Sequence, residues 1–172
     1  EVLQETPNSA LISGHWALGQ VTGLYAADLA IAKARAHGVA VVSVVQAAHK
    51  GRLAAFTDRA ARQDVVMFMV IGTVDRPMTA PYGGAAAVLG TNPIAVSMPN
   101  PAGAPVTLDI ATSAIAAGKV KVAKARHQQL PPNVILDKHG QPSVNPQDFL
   151  DGGFLLPFGG HKGYALAVMA EL

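Results

Sequence analysis

Between Pro77 and Leu108 the chain carries no Asp, Glu, Lys or Arg in 32 consecutive residues, while six prolines and four glycines interrupt it. Charged residues make up 14% of the sequence; scattered independently, they would leave such a gap at a given place roughly once in a hundred. Proline removes a backbone donor and fixes φ, so the segment cannot form a continuous helix or a central strand. It can hold short strands, and Ile94–Met98 and Val106–Ile110 read as two of them. Two explanations fit the missing charge. Either the stretch is an irregular segment buried beneath another subunit, or its tight loops bring backbone close to a ligand.

The sequence before this segment is regular. Gly19 to His37 reads as a helix that is apolar around most of its circumference and therefore covered on several sides, closed by Gly38. Val39–Gln46, continuous and β-branched, reads as a strand buried on both faces; a second helix runs from about Gly51 to Gln63, and Val65–Ile71 is another buried strand. Helix, strand, helix, strand at this spacing points to an α/β unit with parallel neighbours. After the uncharged segment, Thr112 or Ser113 can cap a helix to about Gln129. Its Lys119, Lys121, Lys124 and Arg126 fall on opposite sides at about 100° per residue, which is a solvated surface rather than a basic stripe. Asp137 to Pro142 is a turn, and a last helix runs from Gly160 to Leu172 without a stop signal. That open end, with a start at Glu1 rather than methionine, leads to the expectation that the chain is a fragment of a longer protein.

Composition narrows the function. Half of the 172 residues are hydrophobic, which excludes a disordered chain. The absence of cysteine removes disulfides, thiolate nucleophiles and cysteine-ligated metals, and the six histidines are too dispersed for a metal site. A net charge of +2 does not argue for nucleic acid. The longest apolar run, Val39 to Val45 broken by Ser43, falls far short of the ~20 residues that cross a membrane.

Three places can carry chemistry. His49-Lys50-Gly51-Arg52 follows a strand and opens a helix, where anions bind and an imidazole can move a proton; it can equally be a loop histidine satisfied by backbone. Asp109, at a strand end before Thr112 and Ser113, can bind a ribose hydroxyl or merely cap the next helix. In Pro157-Phe158-Gly159-Gly160-His161-Lys162-Gly163 the glycines admit a ligand and the lysine supplies charge, or the run is a plain glycine-rich turn. There is no G-x-G-x-x-G after a strand, and Gly163 stands where a phosphate loop needs Ser or Thr.

These stretches occur in a fixed order with others: His49-Lys50-Gly51-Arg52-Leu53, Ala80-Pro81-Tyr82-Gly83-Gly84, Leu89-Gly90-Thr91-Asn92-Pro93, Leu108-Asp109-Ile110-Ala111-Thr112-Ser113, Gly118-Lys119-Val120 and Leu156 to Tyr164. The series resembles the malate/L-lactate dehydrogenase family, which also holds ureidoglycolate and sulfolactate dehydrogenases and cyclic imino acid reductases. The resemblance implies an α/β protein with a mixed-sheet nicotinamide-binding fold, not a doubly wound Rossmann sheet. Residues 1–54 would belong to a first, substrate-side domain and 55–172 to the cofactor-binding domain. It further implies a cytoplasmic homodimer that uses NAD or NADP on a small 2-hydroxy or 2-oxo acid, with no metal, nucleic acid or membrane partner.

By the same resemblance His49 would be catalytic, through proton transfer or cofactor contact. Lys50, Gly51, Arg52, Leu53, Asp109, Ile110, Ala111 and Lys162 would join it at the cofactor, and Thr91 would lie at the substrate. Some positions depart from the family. Lys50 replaces an apolar residue, Ala165 a glycine, and Lys119 the relay aspartate of the imino acid reductases, which argues against imine reduction. The family's N-terminal Ser/Arg-His-Gly segment is not in this sequence. The rival reading is a catalytically inert fragment or assembly module.

Overall fold

The alanine-rich segment forms the expected helix, α1 (Gly19–His37), and Gly38 closes it at φ 85° by donating its N–H to the Ala34 carbonyl at 2.7 Å. The computed structural model describes residues 1–72 and 77–172, which divide into two units. One comprises Glu1–Met69 and Ala95–Asp109, the other Val70–Ile94 and Ile110–Leu172.

In the first unit β1 (Val2–Glu5) and β2 (Ser9–Ser13) pair antiparallel, and α1 carries the chain to β3 (Val41–Val45), which lies parallel to β2. Ala10, Ile12 and Ala26 form the core between this sheet and α1, with Leu29, Val42 and Val44 packed against them. Lys33, buried on α1, donates to the Thr6 carbonyl at 2.6 Å and pairs with Glu5 at 2.8 Å, which fastens the helix to the β1–β2 turn. Helix α2 (Ala54–Ala61) sets its buried Phe56 over Gly23 of α1. β4 (Met67–Val70), β5 (Ile94–Met98) and β6 (Val106–Ile110) form a second sheet in that order, most of it in this unit. The two strands expected inside the uncharged segment therefore form with the expected ends.

Three expectations fail here. Neither β3 nor β4 is buried on both faces: Val41 (62%) and Phe68 (64%) are exposed, because α1 covers only the side of β3 that carries Val42 and Val44, and β4 alternates in the same manner. The two strands are not neighbours either, since they belong to separate sheets. And α1, expected to be covered on several sides, leaves Val21, Leu24 and Tyr25 facing outward.

The second unit is built on a small antiparallel sheet of β7 (Ile135–Leu136), β8 (Pro142–Ser143) and β9 (Phe154–Leu155), in the order β8-β7-β9. The expected turn joins β7 to β8: Asp137 accepts from the His139 and Gln141 N–H groups at 2.8 and 2.9 Å, and these bonds hold its carboxyl below the usual carboxylate range. α3 (Ala117–Ala125) and α4 (Pro146–Leu150) pack with this sheet around Val120, Leu130, Val134, Ile135, Phe149 and Leu155. α5 (His161–Glu171) completes the unit. Neither Thr112 nor Ser113 caps α3, which starts after Ala116. Their hydroxyls are committed to the carbonyls of Thr91 and Ile115. Only Val120 of α3 is buried, so its lysines lie on a solvated surface. Among the described residues no helix is long and apolar enough to cross a membrane.

The first unit contains a partly buried polar knot. Asp58 on α2 accepts from the hydroxyls of Ser97 on β5 (2.8 Å) and Thr107 on β6, and Ser97 also meets Thr57 at 2.7 Å. The Thr107 hydroxyl, then that of Ser97 and the charges of Arg52 and Arg62, hold the Asp58 carboxyl below its ordinary range against the opposing effect of burial. A depressed carboxylate adds stability that is present above its unfolded-state pKa and lost as pH falls through the folded one. Asp58→Ala is therefore expected to cost about 1–3 kcal/mol at neutral pH, and the gap to wild type should narrow towards pH ~2. Urea unfolding across that range checks it; a gap independent of pH would contradict the assigned network.

Candidate active site

In the first unit the chain leaves β3 through Gln46, which adopts φ 51° and is held on both sides: Ser13 Oγ donates to its side chain at 2.8 Å and the Trp16 N–H to its carbonyl at 2.7 Å. Residues 47–53 carry no regular structure. Gly19, opening α1, lies directly against the Ala48 and His49 carbonyls, where no Cβ fits. Absence of a side chain at Gly19 thus sets the path of the backbone that presents His49.

The His49 ring is exposed, and its Nδ1 accepts the Gly51 N–H at 3.2 Å. A backbone amide only donates, so Nδ1 must be unprotonated and the neutral ring carries its proton on Nε2. Lys50 is half-buried, and that burial lowers its ammonium pKa. Arg52 is exposed, 3.5 Å from Asp58. Leu53 is 2% exposed and anchors the loop in the core. Asp109, at the end of β6, accepts the N–H of Ala54, the first residue of α2, at 2.8 Å. Asp109 is thus a helix cap, but of α2, 55 residues back in sequence, and not of the helix that follows it. The positive end of α2, which the sequence suggests as an anion site, already holds this carboxylate.

In the second unit Thr91, Ile110, Ala111 and Lys162 are brought into one hydrogen-bonded assembly. The Thr91 carbonyl accepts both the N–H (2.9 Å) and the hydroxyl (3.0 Å) of buried Thr112, which follows Ile110 and Ala111. The Thr112 carbonyl accepts the Phe158 N–H at 3.0 Å, and the Phe158 carbonyl accepts the Gly163 N–H at 3.0 Å. Gly163 lies so close to Phe158 that no Cβ fits. The turn at Gly159 (φ 56°) and Gly160 (φ 64°) then leads into α5, which has no side-chain cap, and Lys162 is exposed in its first turn. Tyr82 meets His161 edge-on at 5.8 Å. The space beside Gly159 is open. An uncapped helix start, a turn with room beside it and an exposed lysine fit the phosphates of a dinucleotide. Among the described residues no group of three or more His, Cys, Asp or Glu side chains is placed to hold a metal.

The class defined by this architecture is an α/β protein on small mixed sheets whose candidate residues sit in loops and at the ends of elements, without a dinucleotide glycine fingerprint. The sequence matches the malate/L-lactate dehydrogenase family over residues 1–172, and the chain belongs to that family. It is 40% identical over 172 residues to malate/(S)-sulfolactate dehydrogenase of Methanothermus fervidus, covering all of this chain and 50% of that protein. The structure superposes on delta1-piperideine-2-carboxylate reductase from Pseudomonas syringae with a TM-score of 0.93 at 35% identity, covering 100% of this chain and 51% of that one. For the sulfolactate dehydrogenase of Methanocaldococcus jannaschii the TM-score is 0.86 at 39% identity, with 100% and 49% covered. The chain spans about half the length of the relatives it matches.

The sequence reading overlooked the bonds that assemble these loops. Thr112 reads as a local cap and Phe158 is quoted in a motif without a role, yet both carry the assembly through their backbones. Asn92 is quoted in a motif without a role, although an Asn before proline is a turn signal. Gly163→Ala forces a methyl group onto the Phe158 carbonyl and is expected to cost about 1–3 kcal/mol. A thermal melt would show it, and an unchanged midpoint would mean that the turn does not need its glycine.

Proposed function

We propose that the protein to which this chain belongs is an NAD(P)-dependent oxidoreductase that transfers a hydride between nicotinamide and C2 of a small 2-hydroxy or 2-oxo acid. The observation that carries this reading is the assembly in the second unit, where Thr91, the Ile110-Ala111 segment and the Gly159–Lys162 turn are bound through Thr112. Family membership over the whole chain supports it, as do the names of two relatives, malate/(S)-sulfolactate dehydrogenase and sulfolactate dehydrogenase, which are dehydrogenases of 2-hydroxy acids. When bound, the nicotinamide supplies the hydride acceptor or donor at its C4.

In this reading Lys162 and the start of α5 take the phosphates, while Ile110 and Ala111 line the cofactor. The Thr91 hydroxyl contacts the acid. In the first unit Gly51, Arg52 and Leu53 hold the loop at the cofactor, and half-buried Lys50 offers a positive charge to an anionic ligand group. Asp109 contributes by fixing α2. His49 presents its Nε2–H as a hydrogen-bond donor to the oxygen on C2, which polarises a carbonyl in the reducing direction. The exposed apolar side chains of Trp16, Leu18 and Val21 support a homodimer, which we place in the cytoplasm.

Saturable quenching or transfer of NADH or NADPH fluorescence by the full-length protein is the expected result, and its absence with both cofactors sinks the reading. Because the His49 ring is exposed, His49→Ala should leave the melting temperature nearly unchanged while lowering kcat/KM about 100-fold or more. His49→Gln, which keeps an N–H donor, should recover part of that loss. An assembly module predicts no kinetic effect from either substitution.

A further inference from the structure

We propose that Asn92 is a positioning residue: its side chain fastens the loop that presents Thr91 to the body of α5, the helix whose first turn carries Lys162. The inference rests on the reading of Thr91 as a substrate contact. Asn92 is fully buried and sits at φ 30°, in the region that side-chain-bearing residues seldom occupy. Its Nδ2 donates to the Ala167 carbonyl at 2.9 Å and to Glu171 Oε2 at 2.6 Å, both on α5. Its Oδ1 is buried without a hydrogen-bond partner among the described residues.

Burying an amide oxygen without a partner is unfavourable. The amide therefore takes its orientation from what its NH2 group gains on the helix. Aspartate, with no donor, cannot make those bonds, and serine is too short to span two acceptors a helical turn apart. The backbone on either side is already fixed: the Thr91 carbonyl holds Thr112, and the Pro93 carbonyl accepts the Ile71 N–H at 3.1 Å. Asn92 adds a different restraint. The Thr91 loop is bonded at its backbone to Thr112, and through Asn92 to the last turns of α5. A substrate contact and a cofactor contact can then keep their spacing to the fraction of an ångström that hydride transfer needs.

The test is steady-state kinetics on the full-length enzyme with a 2-oxo acid and NADH or NADPH. Asn92→Ala should lower kcat/KM for the acid about 10- to 100-fold, through both kcat and KM, and leave the cofactor KM within about twofold. In a Thr91→Val background the same substitution should add little, since Asn92 acts through its neighbour. Glu171→Ala should give a smaller loss in the same direction, and Glu171→Gln, which keeps an acceptor, should restore it. The Glu171 pair decides the matter if Asn92→Ala fails to fold. Additive losses in the double variant, or an active wild type indifferent to Asn92→Ala and Glu171→Ala, overturn the proposal. A wild type that turns over no 2-oxo acid overturns the functional reading and this inference with it.

Discussion

Thr112 uses every polar group it has. Its N–H and hydroxyl both go to the Thr91 carbonyl, and its own carbonyl receives the Phe158 N–H. The residue is fully buried, so each of these groups would cost stability if left unpaired. Three loops distant in sequence are consequently locked by one residue, and none of them has regular structure of its own to impose a shape. The uncharged, proline-punctuated segment is ordered by the same means. Met78 and Thr79 pair with Leu89, and Ala80 donates to the Leu155 carbonyl at 2.9 Å. Its remaining amides are bonded partly across the unit and partly in local turns, such as the Gly84 N–H to the Pro81 carbonyl.

The first unit solves a related problem with side-chain carboxylates. Ala54 opens α2 with no cap from its own neighbourhood, and Asp109 supplies one from β6. Asp58, near the middle of α2, gathers hydroxyls from β5 and β6. Two carboxylates thus register one helix against two strands, and the loop that carries His49 enters that helix directly. A shift of α2 along the strands would break both sets of bonds together, so the geometry of residues 49–53 depends on interactions that touch no ligand.

Local signals in the sequence were legible and long-range ones were not. The Gly38 stop, the Asp137–Pro142 turn and the strands at 94–98 and 106–110 follow from a glycine, an Asx turn and the gaps between prolines, each read within a few residues. Where periodicity had to stand for burial, the reading overreached. Val41 and Phe68 look like core positions because they are apolar, but whether a second layer covers a strand is not written in the strand. Asp109 shows the same limit. An acid before a helix reads as a cap for that helix, and only the tertiary fold reveals that its carboxylate reaches Ala54. Candidate residues could be named from motif order, whereas the assembly through Thr112 required knowing which carbonyls face it.

The Gly51–His49 bond constrains the proton inventory of the proposed reaction. Oxidation of a 2-hydroxy acid releases a hydride from C2 and a proton from the hydroxyl, and that proton needs an acceptor. With Nδ1 occupied by an N–H, the neutral His49 ring has its only proton on Nε2 and no lone pair free towards a substrate. It can donate to an oxygen on C2, and it can become a base only if the Gly51 bond opens and the tautomer changes. As a donor it is suited to the 2-oxo acid, whose carbonyl needs polarising, and to the developing alkoxide, whose charge the N–H stabilises. In the proposed reaction the proton itself would then be exchanged with a group other than the neutral His49 ring.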